Sequence, residues 1–485
     1  MDQRQNETPL INQLKQLADR HEAPFYVPGH KKGQGINPKL QELMGEQVFR
    51  ADLPELPELD NLFAPEGVIQ EAHQLASEAF GCDRTWFLAN GTTSGVIAGI
   101  LATCGEGEEI ILPRNVHQSA IFGLILSGAT PIFIEPEYNS EFDICHTITA
   151  EQIEQALQNH DNVKAILIVS PTYHGICADI NKISDLAHAH NTPLIVDEAH
   201  GGHFRFHPQL PDSALSCGAD IVIQSTHKVL GAMTQASMLH CQGDLVNPVR
   251  INQSLQMVQS SSPSYLLLAS LDGARQQMAT SGFDLLEKTL ALANDARKLL
   301  SELDYLSVLE NDRGVSSPSF HNFDRTRLTV NVSKLGITGY EADDIFNEIL
   351  GVTCELPSLQ NLTFIISFGN TQSDIDRLVN AFKGLKKYTN HQKINQFNLP
   401  SLPVSSLKLT PRQAFWSEKK VVDRTEAINQ ISGETICPYP PGIPIIMAGE
   451  VITSSALNYL LEVKKLGGMV TGISDSSLET LTILK

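Results

Sequence analysis

The chain has 485 residues, 42% hydrophobic and 19% charged, enough for several folded domains around sizeable apolar cores. Its 35 basic residues against 55 acidic ones give a formal net charge of −20, which argues against the basic surface a nucleic-acid partner demands. The 8 cysteines show no C-x-x-C spacing, so no metal site, redox motif or secreted disulfide framework is expected. The start, Met1 to Glu7, is polar, and no apolar run reaches the roughly 20 residues of a membrane helix; a cytoplasmic protein with no membrane partner is expected.

In chain order, Leu10, Ile11, Leu14 and Leu17 have helical spacing within residues 9–20. Residues 24–33 are rich in proline and glycine and predict a loop. Residues 52–67, with Pro54, Pro57 and Pro65 among acidic and apolar residues, read as an extended arm. A helix is predicted over 69–80, then a loop over 90–95 that opens an apolar helix over 96–102. Short apolar runs at 109–112, 131–134, 165–169, 194–196 and 221–223, mostly separated by helical stretches, predict a largely parallel sheet covered on both faces. A helix over 285–303 leads to a smaller α/β unit with strands at 328–332 and 362–367. The resulting division is 1–67 (helix and arm), 68–290 (large domain), 291–387 (small α/β domain), 388–405 (linker) and 406–485 (C-terminal module).

Chemistry concentrates where the predicted strands end, the edge on which parallel sheets collect ligands. Leu194-Ile195-Val196 leads into Asp197-Glu198-Ala199-His200, and Ile221-Val222-Ile223 leads into Gln224 and Ser225-Thr226-His227-Lys228. A carboxylate at one strand end and a lysine at another, in one α/β sheet, suit pyridoxal 5'-phosphate (PLP): the amine forms a Schiff base with the aldehyde, and the carboxylate pairs with the protonated ring nitrogen. Ser225, Thr226 and His227 could bond a phosphate beside it, as could Thr92, Thr93 and Ser94 at a helix start. Taken alone, the 90–95 segment reads more readily as an ordinary capped helix. His117 follows a strand and could stack on a flat ring, or be a plain strand-end histidine; His200 could support the site or be a loop residue.

Taken together, Pro28-Gly29-His30-Lys31, Asn90-Gly91-Thr92-Thr93, Pro171-Thr172-Tyr173, Asp197-Glu198-Ala199-His200-Gly201, Ser225-Thr226-His227-Lys228 and Tyr439-Pro440-Pro441-Gly442-Ile443-Pro444 resemble the Orn/Lys/Arg decarboxylases, across nearly the whole chain and in family order. The resemblance implies a PLP-dependent fold type I (aspartate-aminotransferase-like) α/β large domain, a smaller α/β domain and a C-terminal α+β module. It implies that Lys228 is the Schiff-base lysine, Asp197 the ring-nitrogen partner and His117 the stacking ring. Thr92, Thr93, Ser94, Ser225 and His227 fall near the phosphate, and Glu355 falls where the family has an acidic residue near the substrate. It further implies a homodimer or higher homo-oligomer with the 52–67 arm reaching toward the partner. With the Pro-Gly-His loop already at Pro28, the short form without a wing domain is expected; His117-Gln118 departs from a commoner His-Lys pair.

The expected activity is α-decarboxylation of lysine, arginine or ornithine, lysine placed first on family resemblance. The alternatives are another fold-type-I reaction, such as transamination or C–S lysis, and a catalytically silent regulatory homologue. The intact Lys228 and Asp197 argue against the last.

Overall fold

The computed structural model describes residues 3–311, 317–388, 406–439 and 443–485. The chain divides into two compact units, Met1–Thr103 with Ile180–Leu286, and Cys104–Asp179 with Glu287–Lys485.

In the first unit, four strands lie in the order Arg84–Leu88, Ser237–Cys241, Ile221–Gln224, Leu194–Asp197. The Ile221–Gln224 and Leu194–Asp197 strands run parallel, with Asp197 opposite Ile223. Ser237–Cys241 is antiparallel to both its neighbours. The Leu194–Asp197, Ile221–Gln224 and Ser237–Cys241 strands are buried along their whole length, so all three lack the alternation that marks a half-exposed strand. The Pro9–Ala18 helix buries Leu10, Leu14 and Leu17, each contributing about 1.5–3 kcal/mol. The Tyr265–Ser301 helix starts twenty residues before the expected one, and the boundary between the units falls inside it.

Two expectations change here. Residues 52–67 are not extended: Pro57–Leu59 forms a 3-10 turn and Leu53, Leu59 and Leu62 are buried. Asp60, at φ +71°, turns the segment back. Its carboxylate accepts the N–H groups of Glu66 (3.0 Å), Gly67 (2.7 Å) and Ile69 (3.1 Å), which caps the Val68–Phe80 helix. Residues 91–95 are not loop either. The helix spans Gly91–Thr103, and within its first turn the Ser94 hydroxyl donates to the Gly91 carbonyl.

In the second unit, Val163–Val169, Glu109–Pro113 and Thr130–Ile134 form a parallel three-strand array. A four-stranded antiparallel sheet orders Ser307–Val308, Arg327–Asn331, Asn361–Ile365 and Leu356–Pro357. The Gln372–Leu385 helix and the end of the long helix pack with it around Leu328, Val330, Phe346 and Phe382. The C-terminal module pairs Lys419–Asp423 with Thr480–Leu484 and Cys437–Tyr439 with Met469–Thr471, around Ile436, Leu460 and Ile483. Almost all of the expected linker, residues 389–405, and Pro440-Pro441-Gly442 lie outside the described residues. No helix among the described residues is long and apolar enough to cross a membrane.

Candidate active site

In the first unit the two parallel strand ends carry the predicted chemistry. Lys228 sits in the short Thr226–Val229 helix that follows the Ile221–Gln224 strand, and its Nζ lies 3.0 Å from His200 Nε2. Asp197 ends the neighbouring strand, only 7% exposed. Burial pushes its carboxyl above the ordinary range, while the Lys228 ammonium and the Ala199 N–H pull it back. A ring cation placed against it would add to that pull and favour the carboxylate.

The Thr92 and Ser225 hydroxyls stand 3.0 Å apart, which joins the start of the Gly91–Thr103 helix to the residue before the lysine's helix. Unsatisfied N–H groups and the helix dipole make that helix start attractive to an anion. Thr93 is exposed and Ser94 buried. His227 Nδ1 donates to the Ala236 carbonyl at 2.9 Å, because a carbonyl only accepts, and this fixes its ring. An amine, a buried carboxyl, paired hydroxyls and a helix N-terminus together fit PLP, with its aldehyde, ring nitrogen and phosphate.

His117 and Glu355 belong to the second unit. His117 caps the Gln118–Ser127 helix: its Nδ1 accepts from the Ser119 N–H at 3.2 Å, which leaves the neutral ring's proton on Nε2. Glu355 is exposed and accepts a hydrogen bond from the Tyr173 hydroxyl, so two stretches quoted above meet in that unit. His30, from the Pro-Gly-His segment of the first unit, is engaged by Asp52 (3.1 Å) and by the Gly33 N–H (3.1 Å).

The sequence reading passed over three buried polar residues beside this site. Glu198 is 1% exposed and accepts from the Ala214 N–H (2.7 Å) and Gln224 Nε2 (2.6 Å); burial pushes it up to about 8. Gln224 in turn meets His240 Nε2 at 3.1 Å. A polar residue closing an apolar strand, as Gln224 does, was the available signal.

A family model described as "Orn/Lys/Arg decarboxylase, major domain" matches residues 8–374, and "Orn/Lys/Arg decarboxylase, C-terminal domain" matches 397–476. An arginine decarboxylase from Bacillus subtilis is 40% identical over 485 residues, covering 99% of this chain and 98% of the relative. The crystal structure of a Francisella novicida lysine decarboxylase superposes with a TM-score of 0.84 at 24% identity, over 99% of this chain and 82% of that one. A serine palmitoyltransferase from S. paucimobilis, solved with PLP and myriocin bound, gives a TM-score of 0.50 at 14% identity, over 66% and 76%. These likenesses carry the fold type I α/β architecture.

Proposed function

This chain belongs to the Orn/Lys/Arg decarboxylase family, and from that premise we propose that it is a PLP enzyme that removes the α-carboxyl group of L-arginine as carbon dioxide, leaving agmatine. The observation that carries the chemistry is the Lys228 amine beside His200, with buried Asp197 on the parallel strand end. Arginine replaces lysine as first candidate because the relative matched over nearly its full length at 40% is named for arginine, whereas the lysine decarboxylase structure at 24% carries fold alone.

When bound, PLP supplies an electron sink for the pair left by the departing carboxylate. Lys228 would hold the cofactor through its Nζ and give that place to the substrate amine. His200 Nε2, 3.0 Å from Lys228 Nζ, would take a proton from the ammonium and free the lone pair with which Lys228 bonds the cofactor aldehyde. Asp197, ionised, keeps the ring nitrogen protonated. Thr92, Thr93, Ser225 and His227, with the N–H of Ser94 at the helix start, hold the phosphate. The resemblance supports His117 as the ring that stacks on the cofactor, with its Nε2 proton available to the carbon left by carbon dioxide. The resemblance also supports Glu355 as the acidic residue near the substrate, and a guanidinium's planar fork suits a carboxylate. The family resemblance also supports a cytoplasmic homodimer.

The test is to incubate the PLP-loaded protein separately with L-arginine, L-lysine and L-ornithine, measuring carbon dioxide and identifying the amine. Agmatine, lost in Lys228→Ala, is expected. Cadaverine or putrescine as the main product would move the substrate. A keto acid in place of carbon dioxide would sink the decarboxylase reading.

A further inference from the structure

Behind the Lys228 and Asp197 strand ends, a hydrogen-bonded chain crosses the sheet of the first unit. The Thr85 hydroxyl meets His240 Nδ1 (2.9 Å), His240 Nε2 meets Gln224 Oε1 (3.1 Å), and Gln224 Nε2 donates to Glu198 Oε2 (2.6 Å). The Ala214 N–H closes the far end on Glu198 Oε1 (2.7 Å). With both Glu198 oxygens accepting, the polarity of the whole chain follows. Gln224 gives its amide N–H to the glutamate, so its oxygen must accept from His240 Nε2, and His240 Nδ1 must accept from Thr85. Gln224, Glu198 and His240 are each at most 1% exposed.

We propose that Glu198 and Gln224 form a positioning clasp that sets the register of the two cofactor-holding strand ends. Glu198 directly follows Asp197, and Gln224 directly precedes Ser225 and lies four residues before Lys228. The backbone supports the same register, since the Glu198 N–H donates to the Ile223 carbonyl at 2.9 Å. Gly201 makes the room: a Cβ there would lie 2.6 Å from Glu198 Cγ. Apolar side chains of similar volume could also stabilise the sheet, so what this polar pair adds beyond them is a defined geometry. The inference rests on Asp197, Ser225 and Lys228 holding PLP.

The polarity supplies the test. In Glu198→Gln the new amide has one acceptor for two donors, the Ala214 N–H and Gln224 Nε2, so its NH2 must face one of them. In the exchange Glu198→Gln with Gln224→Glu, every hydrogen bond is remade with the carboxyl group on the other strand. Three quantities are read on each protein: PLP affinity by fluorescence titration, the pH midpoint of the bound cofactor's visible absorption, and the melting temperature without PLP.

The single variant should bind PLP about tenfold or more weakly, the cost typical of a lost outer-shell contact, and shift the absorption midpoint. The exchange should bring the affinity back to within about threefold of wild type and return the midpoint with it, as a coupled pair requires. The clasp is overturned by a single variant with unchanged affinity and midpoint. An exchange that regains its melting temperature but not PLP, or one that does not fold, overturns it too. Wild-type protein that takes up no PLP would instead defeat the proposed function, and the clasp with it.

Discussion

Arg114 and Glu450 form an ion pair of 2.9 Å inside the second unit, with side chains 11% and 2% exposed. Arg114 follows the Glu109–Pro113 strand and also donates to the Pro444 (2.7 Å) and Ile445 (3.3 Å) carbonyls, so one guanidinium fastens the C-terminal module to a strand end. Burial pushes the Glu450 carboxyl upward, and Arg114 and the Met447 N–H oppose that push. Replacing Arg114 by Met strands a buried carboxylate, a loss of about 3–5 kcal/mol. Urea unfolding should show it directly, with Glu450→Gln clearly milder. Equal, small losses in both variants would mean the pair is not acting as a buried charge pair.

The Thr92 and Ser225 hydroxyls, 3.0 Å apart, should matter through phosphate binding rather than folding. Thr92→Val and Ser225→Ala should each weaken PLP by about 1.5–3 kcal/mol, the range for hydrogen bonds to a charged group. Equilibrium dialysis against PLP is the check, with the melting temperature of the PLP-free protein as control. Unchanged affinity would place the phosphate elsewhere.

Glu198 gives the protein a sensitivity to alkali. Its folded value of about 8 lies above the ordinary 4.5, so between these the folded state holds a proton that the unfolded state has released. Its contribution is fully present below about 4.5 and is lost as pH rises through about 8, on the order of 4–5 kcal/mol. Chemical denaturation of the PLP-free protein between pH 5 and 9 should therefore show stability falling with pH, and a flatter slope in Glu198→Gln. Parallel slopes would show that Glu198 is charged in the folded state.

His73 acts at the opposite end of the scale. It is buried, its Nε2 accepts from the Phe87 N–H at 3.0 Å, and burial holds its pKa down to about 4. Stability from this group is present above about 6.5 and lost as pH falls through about 4, because the unfolded chain takes up the proton first. His73→Gln retains an acceptor and cannot charge, so its acid unfolding midpoint should move to lower pH. A midpoint that stays in place would assign acid unfolding to other groups, such as His240, which burial holds to about 3.

The apolar runs at 109–112, 165–169, 194–196 and 221–223 became strands buried over most of their length, where continuous apolar character is expected, and 131–134 became one in which Ile132 and Phe133 are half-buried. The sequence reading passed over Arg84–Leu88 and Ser237–Cys241. In Ser237–Cys241, Ser237 and His240 interrupt the apolar pattern; both are 0% exposed, and His240 is satisfied by Thr85 and Gln224. Such a strand has no linear signature, since the partners that make its burial tolerable come from other parts of the chain.

Lys228, Asp197, Thr92 and Ser225 could be picked from the linear chain because an amine, a carboxylate and hydroxyls beside apolar runs and a helix start are unusual enough to name a chemistry. Their order along the chain also determined the family resemblance. Only the tertiary structure decided that Lys228 meets His200, that Tyr173 meets Glu355 across 182 residues, that Arg114 meets Glu450 across 336, and that Glu198 is bridged to Gln224. Periodicity encodes which face of an element is buried. It carries no record of which polar group, hundreds of residues away, will satisfy another once water has been excluded.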